Sequence, residues 1–481
     1  MIEQPGEYDT IAVTPAKERS PWVVLTSTSL AVFAVFLDTT IGFVSFPAIS
    51  QTFASAGPST VSWVLNAYTL VFAALLIPAG RLADRVGRRK MFLIGVVVFT
   101  IGSMLCGLSP TVGVLIGAEM LEAVGAAILV PASLALVLQT FPRHKVPVAV
   151  AIWGAIGAAA GAAGPTLGAL VVSNLSWRWA FFINLPVGIV SFCLGRVVLP
   201  EGREEHPGRL PDPFGVVVLA AGIALITYAI VQTDSWGWTS ARFALTLAAG
   251  GILLAVFVAR CRRVENPLIH LELFRANNFR WGNAAMLIYA SGFSAMFLGN
   301  VLFLTRVWGY SILTAGLAIS VGPVIVAVTA PIFGRLAARV GQRRLLVPGG
   351  LIWALGGALL LARATTTPHY LTVYLPSGIC TAVGVSLVLP QLSSVAVQGL
   401  PADQFGAGAA VVQAVRYLGS TLGVALVVAF TSGVTGDALD GFQQLWWLLI
   451  ACGIAVSVLS RRLVRPITVP VPPELVASAA H

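Results

Sequence analysis

Charge is what this sequence has least of. Of 481 residues, 19 are acidic and 29 basic, 10% in all, against 57% hydrophobic. A soluble globular fold could not cover so much apolar bulk, and that class is excluded. Cysteine is also scarce. Cys106, Cys193, Cys261, Cys380 and Cys452 are scattered without a CxxC pair or metal-ligand spacing, so no disulfide framework or metal is expected and they read as packing residues. The chain has no GxxxxGK[ST] phosphate loop, HExxH helix or GxSxG elbow. An ATP-driven pump and an enzyme are therefore disfavoured, and no cofactor is expected. His144, His206, His270 and His369 fall in polar loops and His481 is the last residue, which leaves no histidine for a relay within apolar segments.

What fills the chain instead is long apolar runs. The stretches at 91–108 and 214–231 carry no charge, and each is long enough to cross about 30 Å of hydrocarbon. They are continuously apolar rather than alternating, so they read as helices and not as strands of a barrel. The same reading along the chain gives fourteen spanning helices, the first at 22–46 and the last at 442–460. The polar, partly acidic start of the chain lacks a cleavage site, so the first helix is expected to serve as an uncleaved targeting signal.

An even number of spans puts both termini on one side. Loops and tails on that side hold 24 Lys and Arg, against 4 on the other. Both ends are therefore expected to be cytoplasmic, in a multi-pass protein of the inner or plasma membrane. This asymmetry accounts for the net charge of +10 without a nucleic-acid partner.

The chain repeats itself. GRLADRVGRRK at 80–90 recurs as GRLAARVGQRR at 334–344, each after the second helix of its half. The expected organisation is a tail at 1–21, a six-helix bundle at 22–199, a linker with two inserted helices at 200–281, a second six-helix bundle at 282–460 and a tail at 461–481. In the first copy, Gly80 and Gly87 permit a tight loop. Asp84 can accept from Arg85, Arg88 or Arg89, and the loop reads as a latch for one conformation.

Four ionisable residues lie within apolar spans, where each is costly and hence a functional candidate: Asp38, Glu119, Glu122 and Arg416. A spacing of three puts Glu119 and Glu122 on one helical face. Two such carboxylates in a low dielectric cannot both ionise cheaply, which suits a group that loads and releases protons. Arg416 is a candidate counter-charge from the second half, and Phe43, Trp63 and Tyr68 are candidate aromatic partners. Gly154, Gly157, Gly161, Gly164 and Gly168 form a small-residue stripe beside Pro165, expected where two helices approach closely and where the bundles slide.

These residues together resemble the major facilitator superfamily, and within it the fourteen-helix drug:proton antiporter family. GRLADRVGRRK is similar to the superfamily's loop between helices 2 and 3, and LDTTIGFVSFP at 37–47 to the helix 1 signature, with Asp38 as the membrane acid. AAGAAGPTLGAL at 159–170 resembles the antiporter stretch of helix 5, and SWRWAFFINLPVG at 176–188 is characteristic of the family. PLIHLELFRANNFR at 267–280 and RYLGSTLGVAL at 416–426 are similar to later landmarks, so the likeness covers nearly the whole chain. The chain departs from the family pattern at Glu119 and Glu122, where an Arg and a Gln are usual, and at Phe43, where Asn is common. The resemblance implies a proton-coupled exporter of lipophilic or cationic small molecules working by alternating access, and a monomer is expected. A transporter of a specific metabolite or lipid, or a non-transporting membrane sensor, remains the alternative.

Overall fold

The computed structural model describes residues 20–142, 145–202, 210–398, 400, 404–432 and 439–464. His144, His206 and His481, half of the linker at 200–213 and most of both tails lie outside the described residues. Fourteen helices among them are long and apolar enough to cross a membrane. They hold α1 (Pro21–Thr52), α2 (Trp63–Val86, its span reaching back to Ala54), α3 (Arg88–Leu108), α4 (Val112–Thr140), α5 (Val146–Asn174), α6 (Asn184–Val198, its span reaching back to Trp179) and α7 (Pro213–Val231). Then come α8 (Ala241–Cys261), α9 (Asn277–Leu302), α10 (Ile312–Val340), α11 (Arg343–Arg363), α12 (Leu375–Val397), α13 (Phe405–Ser432) and α14 (Asp440–Ser460).

The breaks have local causes. Thr111, Ser240 and Ser311 cap α4, α8 and α10 by accepting from backbone N–H groups two or three residues into each helix. Asp212 caps α7 through the N–H groups of Phe214 and Gly215 and is also paired with Arg260 at the end of α8. The Arg260 guanidinium holds the Asp212 carboxyl below the usual carboxylate range.

Packing repeats between the halves. In the first, α1 packs on α5, α2 on α4, and α3 on α4 and α6; in the second, α9 packs on α13, α10 on α12, and α11 on α12 and α14. The inserted helices α7 and α8 pack on each other, with α7 also touching α2 and α13. Only 11% of the apolar window of α8 is buried, so it sits at the periphery.

The halves meet through α5 against α10 and α2 against α13. The named contacts all lie in the half of the molecule away from the termini. Thr69 and Thr421 share a hydrogen bond of 2.7 Å and Thr166 and Ser320 one of 2.6 Å. Phe43 and Phe297 pack with ring centres 5.3 Å apart. Toward the terminal side, Val148 of α5 and Ile332 of α10 are exposed. The contacts just named close the halves together on the side away from the termini.

The repeated segment is less of a loop than its glycines suggested. Helix α2 runs on to Val86 and α3 begins at Arg88, so the break shrinks to Gly87, whose φ of 125° favours glycine. Gly341 does the same in the second copy at φ 92°. Gly80 is inside α2 facing Pro131 of α4 and makes no turn. The extension follows from Arg81, Leu82, Ala83, Asp84 and Arg85 being good or neutral helix formers with no breaker before Gly87.

Candidate functional site

Four helices of the first half bring their polar residues to one interior point. Helix α1 contributes Asp38 and α4 contributes Glu119 and Glu122, each less than a tenth exposed. Helix α3 supplies Ser103 and Cys106, and Asn184 opens α6 after the short helical turn Trp179–Phe182. Close packing makes the meeting possible. Gly102 of α3 lies so near the backbone of Glu122 that an added Cβ would sit 2.6 Å from the Glu122 Cα.

The Asn184 amide ties the acids together. Its Nδ2 donates to Asp38 Oδ1 at 2.9 Å and to Ser103 Oγ at 3.0 Å, with Glu122 Oε1 at 3.5 Å. Ser103 Oγ donates to the Phe181 carbonyl at 2.9 Å, and Cys106 Sγ donates to Glu122 Oε2 at 3.4 Å. Beside the acids is a cavity of about 20 Å³, room for a single water. It is lined by Asp38, Phe43, Tyr68, Thr69 and Glu119 among others. Among the described residues no Lys or Arg pairs with these carboxyls. Three ionised carboxylates buried together would cost several kcal/mol each, so the cluster calls for protons or a bound cation.

Asp38, Glu119 and Glu122 are brought together: Asp38 and Glu119 line the small cavity with Phe43 and Tyr68, while Glu122 lies beside it against Asn184 and Cys106. Trp63 is not on that wall; it packs half-buried on the core of the first half. Arg416 is half-buried on α13 with its guanidinium 5.3 Å from the Tyr417 ring, and no ion pair joins it to the cluster. Its link to the acids is indirect. Tyr417 packs on Phe72 at 4.3 Å, and Phe72 stacks on Tyr68 of the cavity wall.

Two expectations need correction. The glycine stripe does not lie where the halves meet: Gly157, Gly161, Gly164 and Gly168 face Phe36, Thr40 and Ile41 of α1, inside the first half. The face of α5 toward α10 carries Pro165, Thr166 and Ala169, with Gly316 set against Pro165 and Ala169. A glycine stripe admits the closest neighbour, and the closest neighbour here belongs to the same half. Cysteine as mere packing also fails twice, since Cys193 is exposed and Cys106 is hydrogen-bonded within the cluster.

The basic segment forms contacts inside the first half. Arg88 pairs with Asp84 at 3.0 Å and donates to Gln139 of α4 at 3.1 Å, while Arg89 donates to the Arg196 carbonyl. Arg85 is exposed.

Charge within apolar spans is the signal the sequence offers for this site, and it passes over Asn184 and Ser103 and leaves Cys106 as a packing residue. The signal was present: an amide in the apolar run FINLPVG is nearly as conspicuous in a spanning helix as a charge.

Two six-helix halves with an inserted pair, closed at one face around buried acids, define a membrane transporter of the two-bundle class. The sequence profile of the Major Facilitator Superfamily matches residues 28–424 and 283–479, and the chain belongs to that family. Among curated relatives, Multidrug resistance protein Stp of Mycobacterium tuberculosis is 34% identical over 410 residues, 85% of this chain and 75% of that protein. The Tetracenomycin C resistance and export protein of Streptomyces glaucescens is 31% identical over 92% of this chain and 82% of its own length. The puromycin resistance protein pur8 of Streptomyces alboniger is 32% identical over 87% and 83%. Among solved structures, an autoinhibited POT-family peptide transporter superposes with a TM-score of 0.68 at 16% identity, covering 94% of this chain and 98% of that one. The inward-open xylose transporter XylE of E. coli gives 0.64 at 14% identity, covering 95% and 99%. At such identities the structural likeness speaks for the fold.

Proposed function

We propose that this chain exports lipophilic or cationic small molecules in exchange for protons, as a monomer of the plasma membrane with both termini in the cytoplasm. The observation that carries this reading is the buried cluster of Asp38, Glu119 and Glu122, joined through Asn184 and lacking a basic partner among the described residues. A proton and a cationic cargo answer the same demand for positive charge, so each displaces the other, and the one bound decides which face of the carrier opens. The excess of Lys and Arg on the terminal side supports the orientation. The closed face is then external, and cargo enters from the cytoplasm. The bodies that rock are the helices of 22–199 and 282–460, with 200–281 between them. Relatives named for drug resistance and export support the outward direction.

The test is transport in proteoliposomes under an imposed pH gradient, with a panel of cationic dyes and antibiotics. Gradient-driven movement that is lost in Asp38→Asn is expected. Transport indifferent to both the gradient and that substitution would overturn the antiport scheme.

A further inference from the structure

Neither a proton nor an organic cation requires a thiol, yet the cluster contains one. Cys106 Sγ and carboxylate oxygens of Glu119 and Glu122 all lie within 4.8 Å of one another, and all three residues are buried. Two further buried polar atoms at this place have no hydrogen-bond partner. The Tyr68 hydroxyl, on a residue 4% exposed, belongs to the wall of the small cavity beside Glu119, and Asn184, 1% exposed, leaves its Oδ1 unpaired while its amide nitrogen reaches Glu122.

We propose that Cys106, Glu119 and Glu122 form a site for a borderline-soft divalent cation of the Zn²⁺ or Cd²⁺ class, with a water in the adjoining cavity as fourth ligand. Bonds of about 2.3 Å to sulfur and 2.1 Å to oxygen around a tetrahedral centre place ligand atoms roughly 3.4–3.6 Å apart. The 3.4 Å between Cys106 Sγ and Glu122 Oε2 already meets that spacing. Glu119 closes the remainder by rotating its flexible side chain. One thiolate with two carboxylates favours this class over Mg²⁺ or Ca²⁺, which take six or more oxygens. On binding, the sulfur–metal bond replaces the S–H bond and the thiol proton passes to solvent. The Tyr68 hydroxyl has no protein partner and is free to hydrogen-bond the fourth-ligand water.

The ion bridges α3 and α4, which Gly102 already holds in close contact at Glu122. Binding is measured without cargo or gradient, so this inference and the antiport reading fail separately.

The test uses the full-length purified chain carrying Cys193→Ser, Cys261→Ala, Cys380→Ser and Cys452→Ala, so that Cys106 is the one remaining thiol. Cd²⁺ is titrated and the ultraviolet sulfur-to-cadmium charge-transfer band recorded. One Cd²⁺ per chain is expected, displaced by Zn²⁺ and not by excess Mg²⁺. The band should vanish in Cys106→Ser, and Glu122→Gln should weaken binding at least about tenfold. Thermal unfolding of each variant without metal confirms that it folds, and Glu119→Asp, which keeps the charge, serves as a milder second variant that should also weaken binding. A band absent from the chain that retains Cys106, or binding unchanged by Glu122→Gln and Glu119→Asp, overturns the site.

Discussion

The two halves of this protein share a packing scheme and differ in the chemistry set into it. In the first, Gly102 of α3 lies against Glu122 of α4, and Phe99 against Gly125 one turn away. In the second, Gly356 of α11 lies against Thr381 of α12, and Trp353 against Gly384. Each glycine admits the opposing helix at the same place, so Thr381 stands where the first half has Glu122. The basic segments differ in the same manner. Arg88 holds Asp84 and Gln139, whereas Gln342, in the matching position, donates to Ser394 of α12 at 3.0 Å. Packing positions are kept because a misfit in either half would separate helices that have little but close contact to hold them in lipid. Among the described residues, buried acids within the spans occur in the first half only, and the proposed cation-binding step belongs to that half.

The comparison can be broken most severely by moving chemistry from one half to the other. Glu122→Thr installs the residue of the second half, and is expected to leave the protein folded while proton-driven transport falls by at least about a hundredfold, the scale of a lost proton-handling group. Rates in proteoliposomes with and without a pH gradient decide it, and an active Glu122→Thr carrier would mean that the acids are ornaments of the scaffold. A smaller loss is expected from Asn184→Leu. It strands Asp38 and Glu122 without their shared donor, at a cost of about 1–3 kcal/mol, or roughly 5- to 150-fold in transport. Gln391→Leu, at a buried amide of the second half, should change the rate far less.

Packing should respond alike in both halves. Gly102→Val and Gly356→Val each force a side chain into a neighbouring helix and should each destabilise by about 1–3 kcal/mol in thermal or denaturant unfolding. Tolerance of one and not the other would show that the shared scheme is only apparent. Removing the hydrogen bond between the halves with Thr69→Val and Thr421→Val should cost the closed face about 0.5–1.5 kcal/mol. That is roughly a 2- to 12-fold shift in facing, readable from distances between spin labels at Val148 and Ile332.

The smallest effect belongs to the inserted pair. Asp212 has its carboxyl held down by Arg260, so its stabilisation is fully present above the ordinary value of 3.8 and is lost as pH falls through the lower folded value. Asp212→Asn should remove that acid-side loss and leave stability near neutrality only slightly changed, as seen in unfolding at a series of pH values.

Much of the fold was legible before any coordinates. A span needs only length and apolarity, which neighbours cannot alter, and fourteen such runs are visible. Their ends were harder to read, as at Arg81–Val86, because a helix can continue past the hydrocarbon on residues with no reason to stop. The acids were visible because charge in an apolar run is costly wherever it occurs. Which partners they meet was not, since Asn184 is 146 residues from Asp38 and only the angle between α1 and α6 brings them to 2.9 Å. The stripe on α5 is the face of close approach its spacing predicts, but its neighbour is α1 and not the second half, because periodicity names a face of a helix and says nothing of what lies against it.

Composition and periodicity by themselves determined that this chain lives in lipid, how many times it crosses, and which few side chains are too costly to be there by accident. The local energy of burying a residue does not depend on the rest of the fold. Tertiary structure alone decided that three acids, an amide and a thiol share one interior, that Arg416 lies apart from them with its tyrosines, and that the halves close at the face away from the termini. Those are relations between distant segments, and only the packing of helices against one another sets the distances on which hydrogen bonds and charge compensation depend.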